Sequence, residues 1–111
     1  MKNELTQAFY DDIGRCHFWT EIGELNATIL FCQEHCEKID EYMEDVHVDP
    51  SLVFAPSTSL IRYEPLGVAL IMGSWNFPYF VTIKPIITCI AAGNCAIIKP
   101  SEMSPKSSLA I

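Results

Sequence analysis

Three polar side chains stand where apolar runs end, and their types suit chemistry on a carbonyl and on a sugar. Asn76 follows the run Gly67-Val-Ala-Leu-Ile-Met-Gly73, while Lys99 and Glu102 follow Cys95-Ala-Ile-Ile98. An asparagine at a rigid corner offers two amide donors, and one donor aimed at a developing oxyanion lowers a barrier by roughly 3–4 kcal/mol. Asparagine also caps helices, so at this point the cap and the oxyanion donor are both open. Lys99 can donate to a ribose hydroxyl and Glu102 can accept from one. Alternatively Ser101-x-x-Ser104 with Glu102 simply begins the next helix, with Pro105 in its first turn. The cysteines, Cys16, Cys32, Cys36, Cys89 and Cys95, are odd in number and sit mostly at apolar positions, which reads as buried, reduced thiols. Cys32-x3-Cys36 with His35 has no second ligand pair at zinc spacing, so no metal site is expected.

The elements that must hold these groups read as strand, helix, strand. Both apolar runs have the pattern of strands buried on two faces of a parallel sheet. Between them, Pro78 suits the start of a helix that runs to Gly93-Asn94, a pair that tolerates the left-handed angle of a helix end. Pro85 inside this helix forfeits a backbone bond and predicts a kink. Polar groups then lie at the carboxyl ends of both strands, where open α/β sheets bind ligands. Glycines at 14, 23, 67, 73 and 93 cannot make G-x-G-x-x-G, so the usual pyrophosphate cradle is absent.

Upstream, Leu5, Ala8, Phe9 and Ile13 mark one face of a first helix that stops at Gly14. Phe18, Ile22, Leu25, Ile29, Cys32, Cys36, Ile39, Met43 and Val46 then step by four and three, an apolar seam on one long helix stopped by Asp49-Pro50. The seam fits a coiled-coil partner, or a helix lying against its own domain or the rest of a larger protein. Residues 52–63 hold two β-leaning pieces around Pro56-Ser-Thr-Ser59, a hairpin or an extended connector.

At 111 residues one domain is expected, burying about two-thirds of its unfolded surface. Half the residues are hydrophobic, too many for a disordered acidic tail. The net charge of −7 is uneven: residues 1–49 hold twelve acids against Lys2, Arg15 and Lys38. These acids read as a solvated helix face, and such a surface argues against nucleic acid as a partner. The first fifteen residues lack a basic start and an apolar run, so no secretory signal is read and a reducing cytosol is the expected compartment. Residues 77–98 are apolar, but Lys84, Pro85 and Gly93-Asn94 argue against a membrane span.

Glu64-Pro-Leu-Gly67, Gly73-Ser-Trp-Asn-Phe-Pro78, Ala91-Ala-Gly-Asn94 and Lys99-Pro-Ser-Glu102, in this order and spacing, closely resemble the amino-terminal half of the cofactor domain in the aldehyde dehydrogenase superfamily. Asp11-Asp-Ile-Gly14 and Thr20-Glu-Ile-Gly23 look most like its class 3 branch, which acts on fatty or aromatic aldehydes. The resemblance implies an α/β fold: amino-terminal helices over residues 1–50, then over residues 51–111 the first, incomplete half of a Rossmann-like domain for NAD or NADP. It implies an oxyanion-hole amide at Asn76. It also implies a ribose clamp at Lys99 and Glu102 in the motif with Pro100 and Ser101, and cofactor-lining backbone at Gly73, Ser74 and Trp75. Other branches carry a lysine where Pro85 stands, so Lys84 takes no relay role.

The implied reaction oxidises an aldehyde to a carboxylic acid. It needs a cysteine thiolate, hydride transfer to NAD(P) and a glutamate that activates water. In relatives these residues lie well beyond position 111, and none of the five cysteines stands in the nucleophile's motif. The expectation is an enzyme portion that is inactive as an isolated chain, takes an aldehyde only with the rest of the enzyme, and can join a homo- or hetero-oligomer. The alternative is a non-catalytic module that binds a full-length paralogue through the long helix.

Overall fold

The structure is a computed structural model and describes every residue from Met1 to Ile111. Helix α1 (Lys2–Ile13) buries Phe9, with Leu5 and Ile13 on the same face, and ends at Gly14 with φ 72°, a left-handed angle that glycine adopts without strain. The long helix expected from Phe18 to Val46 stops at Met43. It has three pieces: α2 (His17–Thr20), a π-helical segment (Glu21–Asn26) and α3 (Ala27–Met43).

A π turn adds a residue to the helical repeat, so the apolar seam loses its register midway. Leu25 is buried, whereas Phe18, Ile22 and Ile29 are exposed. Leu25 packs against Phe9 and Tyr79, and the later positions Cys32, Cys36 and Ile39 line a cleft with Ile87 and Ile90. Val46 lies on strand β1 (Val46–Val48), paired antiparallel with β2 (Ser59–Ile61) so that it faces Ile61. The β-branched Val-His-Val triplet favours a strand, and the Asp45 carboxylate takes the Arg62 guanidinium at 2.8 Å beside the pair. Only one of the two β-leaning pieces in 52–63 is therefore a strand; Leu52–Phe54 is a short 3-10 turn.

The strand-helix-strand reading holds. β3 (Val68–Met72) and β4 (Cys95–Lys99) pair in parallel, from Val68 opposite Cys95 to Met72 opposite Lys99, with α4 (Phe80–Ala91) between them in the chain. Gly93 takes φ 76° at the helix end, and the Asn94 carboxamide oxygen accepts the Gly67 N–H at 2.8 Å, tying the starts of both strands together. α4 continues through Pro85. Burial on both sheet faces is not found. Ala69 and Ile71 face α4, but Val68, Leu70 and Met72 are more than 60% exposed and both strand edges are unpaired.

The core lies elsewhere, between the amino-terminal helices and the start of α4. Phe9, Leu25 and Tyr79 are buried together, the Phe9 and Tyr79 rings edge to face at 6.1 Å, and the Tyr79 hydroxyl donates to the Leu5 carbonyl at 2.8 Å. The chain leaves 7875 Å² exposed, where a compact domain of this size leaves about 6,200 Å². Burial thus falls short of two-thirds. The radius of gyration, 19.1 Å, exceeds the roughly 13 Å of a compact chain of this length. The thiols follow the same pattern: Cys89 alone is buried, Cys32 is half-buried, and Cys16, Cys36 and Cys95 are exposed, all of them free. Cys16 lies in the turn before α2, and Cys95 opens a strand that this chain leaves largely uncovered.

Gly73 ends β3, donates its N–H to the Lys99 carbonyl at 2.9 Å, and touches α4 so closely that an added methyl would strike the Thr82 hydroxyl and lie 3.3 Å from the Thr82 Cβ. Gly73→Ala is expected to destabilise the chain by about 1–3 kcal/mol through overpacking. Thr82→Ala in the same chain should recover most of that loss in urea midpoint; no recovery would place the strain elsewhere.

Candidate active site

Two turns at the carboxyl ends of β3 and β4 carry the residues singled out in the sequence. In the first, Ser74 and Asn76 are exposed and Trp75 is half exposed. The Ser74 hydroxyl donates to the Asn76 carboxamide oxygen at 2.7 Å, and the Asn76 NH2 group has no partner in the chain. Asn76 is not a cap: the N-terminus of α4 receives no bond from it.

That role falls to a residue that no local pattern singles out. Glu24, in the π-helical segment and fully buried, accepts the N–H groups of Tyr79 at 3.0 Å and Phe80 at 3.3 Å through one carboxylate oxygen. Its other oxygen takes the Arg15 guanidinium at 3.4 Å. Arg15 also donates to the Asn76 backbone carbonyl at 3.2 Å and lies over the Phe77 ring at 4.2 Å. Burial pushes the Glu24 carboxyl up, and the Phe80 and Tyr79 N–H groups and Arg15 offset this only in part. The stability linked to this shift is therefore full below the ordinary glutamate range and is lost as pH rises through the raised value.

A second trans cap lies behind the other turn. Helix α5 (Pro105–Leu109) starts at Ser104 with Pro105 in its first turn, as the sequence suggests, but the Ser104 side chain makes no capping bond. Asp12 of α1 instead accepts the Lys106 N–H at 3.2 Å and the Ser107 N–H at 2.7 Å, and Asp11 takes the Lys106 ammonium at 2.8 Å. Asp12 and Glu24 are thus not part of a solvated acidic face. The N-termini of α4 and α5 are both met by carboxylates from the amino-terminal helices.

Lys99 ends β4 and donates to the Glu102 carboxylate at 2.7 Å and to the Pro100 carbonyl at 3.4 Å. Ser101 is buried; its hydroxyl accepts the Met103 N–H at 3.2 Å and its carbonyl accepts the Ser108 hydroxyl at 2.7 Å. Lys99, Pro100, Ser101, Glu102, Pro105 and Ser108 line an open depression of about 580 Å³, with Leu109 at its margin. A vicinal diol fits this pair, one hydroxyl accepting from the ammonium and the other donating to the carboxylate. The strand register brings Gly73 beside Lys99, but no hydrogen bond joins the Ser74–Asn76 pair to the Lys99–Glu102 pair.

The Lys99 ammonium holds the Glu102 carboxyl below its usual range, so the small stability this pair gives is present at neutral pH and is lost as pH falls through the lowered value. Lys99→Met is expected to move the Glu102 titration midpoint up, toward the ordinary glutamate range. Carbon-detected NMR of the carboxyl measures this; an unchanged midpoint would mean that the pair does not form in solution.

No three His, Cys, Asp or Glu residues lie together at metal-binding distances, and no helix is long and apolar enough to cross a membrane. The aldehyde dehydrogenase family model matches residues 1–111. The chain is 35% identical over 104 residues to aldehyde dehydrogenase family 3 member I1, chloroplastic, of Arabidopsis thaliana, a match covering 94% of this chain and 19% of that protein. It is 33% identical over 104 residues to the 4,4'-diaponeurosporen-aldehyde dehydrogenase of Staphylococcus aureus, covering 94% of this chain and 23% of that protein. The solved structure of Staphylococcus aureus AldH in its substrate-bound state superposes with a TM-score of 0.90 at 32% identity, over 95% of this chain and 23% of that one. The chain therefore spans roughly a fifth of the length of these relatives. Its fold is α/β, amino-terminal helices followed by the first part of a Rossmann-like cofactor domain, and the chain belongs to the aldehyde dehydrogenase family, on the class 3 branch to which the Arabidopsis relative belongs by name.

Proposed function

We propose that residues 1–111 form one half of an aldehyde dehydrogenase site, serving oxidation of an aldehyde to a carboxylic acid with NAD or NADP. The observation that carries this reading is the state of the Asn76 side chain: Ser74 holds its oxygen, and its two N–H donors are free and exposed. When a nucleophile adds to an aldehyde carbonyl, the oxygen gains full negative charge, and a fixed amide donor stabilises that charge more than the neutral carbonyl. Lys99 and Glu102 bind the ribose hydroxyls, with Pro100 and Ser101 fixing their loop, and the backbone of Gly73, Ser74 and Trp75 borders the nicotinamide end. When bound, the cofactor supplies the hydride acceptor. Residues 1–50 act as a brace, helical as far as Met43, and the cofactor-binding domain begins at residue 51. A reducing cytosol suits the five free thiols.

The isolated 111-residue chain is expected to be inactive. No cysteine lies at the carboxyl end of β3 or β4: Cys95 opens β4 at the opposite end, and Cys89 donates its thiol to the Cys95 carbonyl at 3.4 Å. Purified chain with NAD(P) and medium-chain or aromatic aldehydes should give no cofactor reduction. A chimera in which residues 1–111 replace the matched segment of the staphylococcal enzyme should turn over. Activity of the chain alone, or a folded but dead chimera, counts against the proposal.

The exposed seam residues Phe18, Ile22 and Ile29 favour a second reading, a non-catalytic module that binds a full-length relative through the long helix. Sedimentation of the chain mixed with such a relative decides it: two independently sedimenting species remove this reading.

A further inference from the structure

We infer that Arg15 and Glu24 are positioning residues for Asn76, so that the acidic amino-terminal helices set the geometry of a turn far away in sequence. The Asn76 turn is held from both sides by one connected group. On one side, Arg15 donates to the Asn76 carbonyl at 3.2 Å while its guanidinium lies between two rings, 4.2 Å from the centre of Phe77 and 5.5 Å from that of Phe9. On the other side, Glu24 fixes the first two N–H groups after the turn, those of Tyr79 and Phe80. The two are joined through the 3.4 Å contact between Arg15 and Glu24. Residues 76–80 are thus pinned at three backbone positions by two side chains.

A planar guanidinium suits this place, because it can stack on aromatic faces and still donate in its plane. A carboxylate suits the other, because it can accept several N–H groups without bringing a proton of its own. Neither residue is aimed at a reacting atom, so neither is catalytic. Their bearing on catalysis rests on the reading of Asn76 as oxyanion donor, but their effect on the Asn76 backbone can be measured without it.

The test is NMR on the whole 111-residue chain, with far-ultraviolet circular dichroism to report folding. In the unaltered chain the backbone order parameter at Asn76 and Phe77 should be near that of rigid backbone, about 0.85. Arg15→Ala should lower it toward the flexible range, below about 0.6, and shift the Asn76 side-chain amide resonances, measured at a temperature where circular dichroism shows the variant folded. Arg15→Lys, which keeps the charge without the planar fork, should fall between the two. Glu24→Gln replaces a charged acceptor by a neutral one of the same shape, so the Tyr79 and Phe80 amides should exchange roughly tenfold faster. Asp12→Asn serves as the control for general loosening: it should speed exchange at Lys106 and Ser107 and leave Asn76 unaffected. If Arg15→Ala leaves the Asn76 order parameter and amide resonances as they were, or if Asp12→Asn disturbs them equally, the inference is wrong. Loss of activity in an Asn76 variant of the chimera would not rescue it, and retention of activity there would sink only the oxyanion reading.

Discussion

Glu24→Ala should lower the stability of the chain by about 3–5 kcal/mol, the loss expected when one partner of a buried charged pair is removed. The side chain is fully buried, and its removal leaves the Tyr79 and Phe80 N–H groups without acceptors and Arg15 without its counter-charge. A domain of this length has about 5–15 kcal/mol in total, and a chain that buries so little apolar surface belongs at the lower end. Most molecules of the variant should therefore be unfolded near 25 °C or in mild urea. Glu24→Gln should fall between the variant and the original, since it keeps an acceptor for the helix end. Equilibrium urea unfolding measures both, and a Glu24→Ala midpoint equal to that of the original chain would mean that solvent meets the start of α4 instead.

Asn76→Ala should separate stability from activity. Because the side chain is exposed and caps nothing, the isolated chain should change by less than about 0.5 kcal/mol. In the chimera with the staphylococcal enzyme, kcat should fall by about 10²- to 10³-fold with KM little altered, because the lost donor acts on charge that exists only in the transition state. A cap would give the opposite pattern, a stability loss of about 0.5–2 kcal/mol with activity following the folded fraction.

The parts of the fold that could be read in advance were those fixed by local chemistry. Gly14 and Gly93 stop helices because a left-handed residue is needed there, and the apolar runs 68–72 and 95–99 are strands because nothing in them is polar until the ends. The candidate residues Asn76, Lys99 and Glu102 could be singled out for the same reason, as the polar groups that follow those strands, whereas Gly73, Ser74 and Trp75 came from the family resemblance alone. What could not be read were the long-range bonds. Glu24, Asp12 and Arg15 sit among many charged neighbours on amphipathic helices, and nothing local distinguishes a carboxylate that reaches a distant helix end from one that faces water. The break in the seam was hidden as well. Nine apolar residues in a regular three-and-four step describe an ideal helix, and a π turn leaves no mark in such a pattern. The strands look buried in sequence because their composition answers to both sheet faces, while this chain brings only α4 to cover one of them.

The π-helical segment Glu21–Asn26 also bears on which changes in chain length the protein tolerates. Each α-helical residue turns the chain by about 100°. Deleting a single residue between Glu21 and Asn26 would relax the wide turn into an ordinary one, a local improvement in backbone geometry. The wide turn absorbs one residue beyond the α-helical repeat, so such a deletion should leave α2 and Arg15 near their places, whereas a deletion within α3 would rotate everything before it and carry Arg15 away from the Asn76 turn. A single-residue deletion is therefore expected to be tolerated at the exposed Ile22 or Gly23 and in the loop between β1 and β2, and to disrupt the chain within α3.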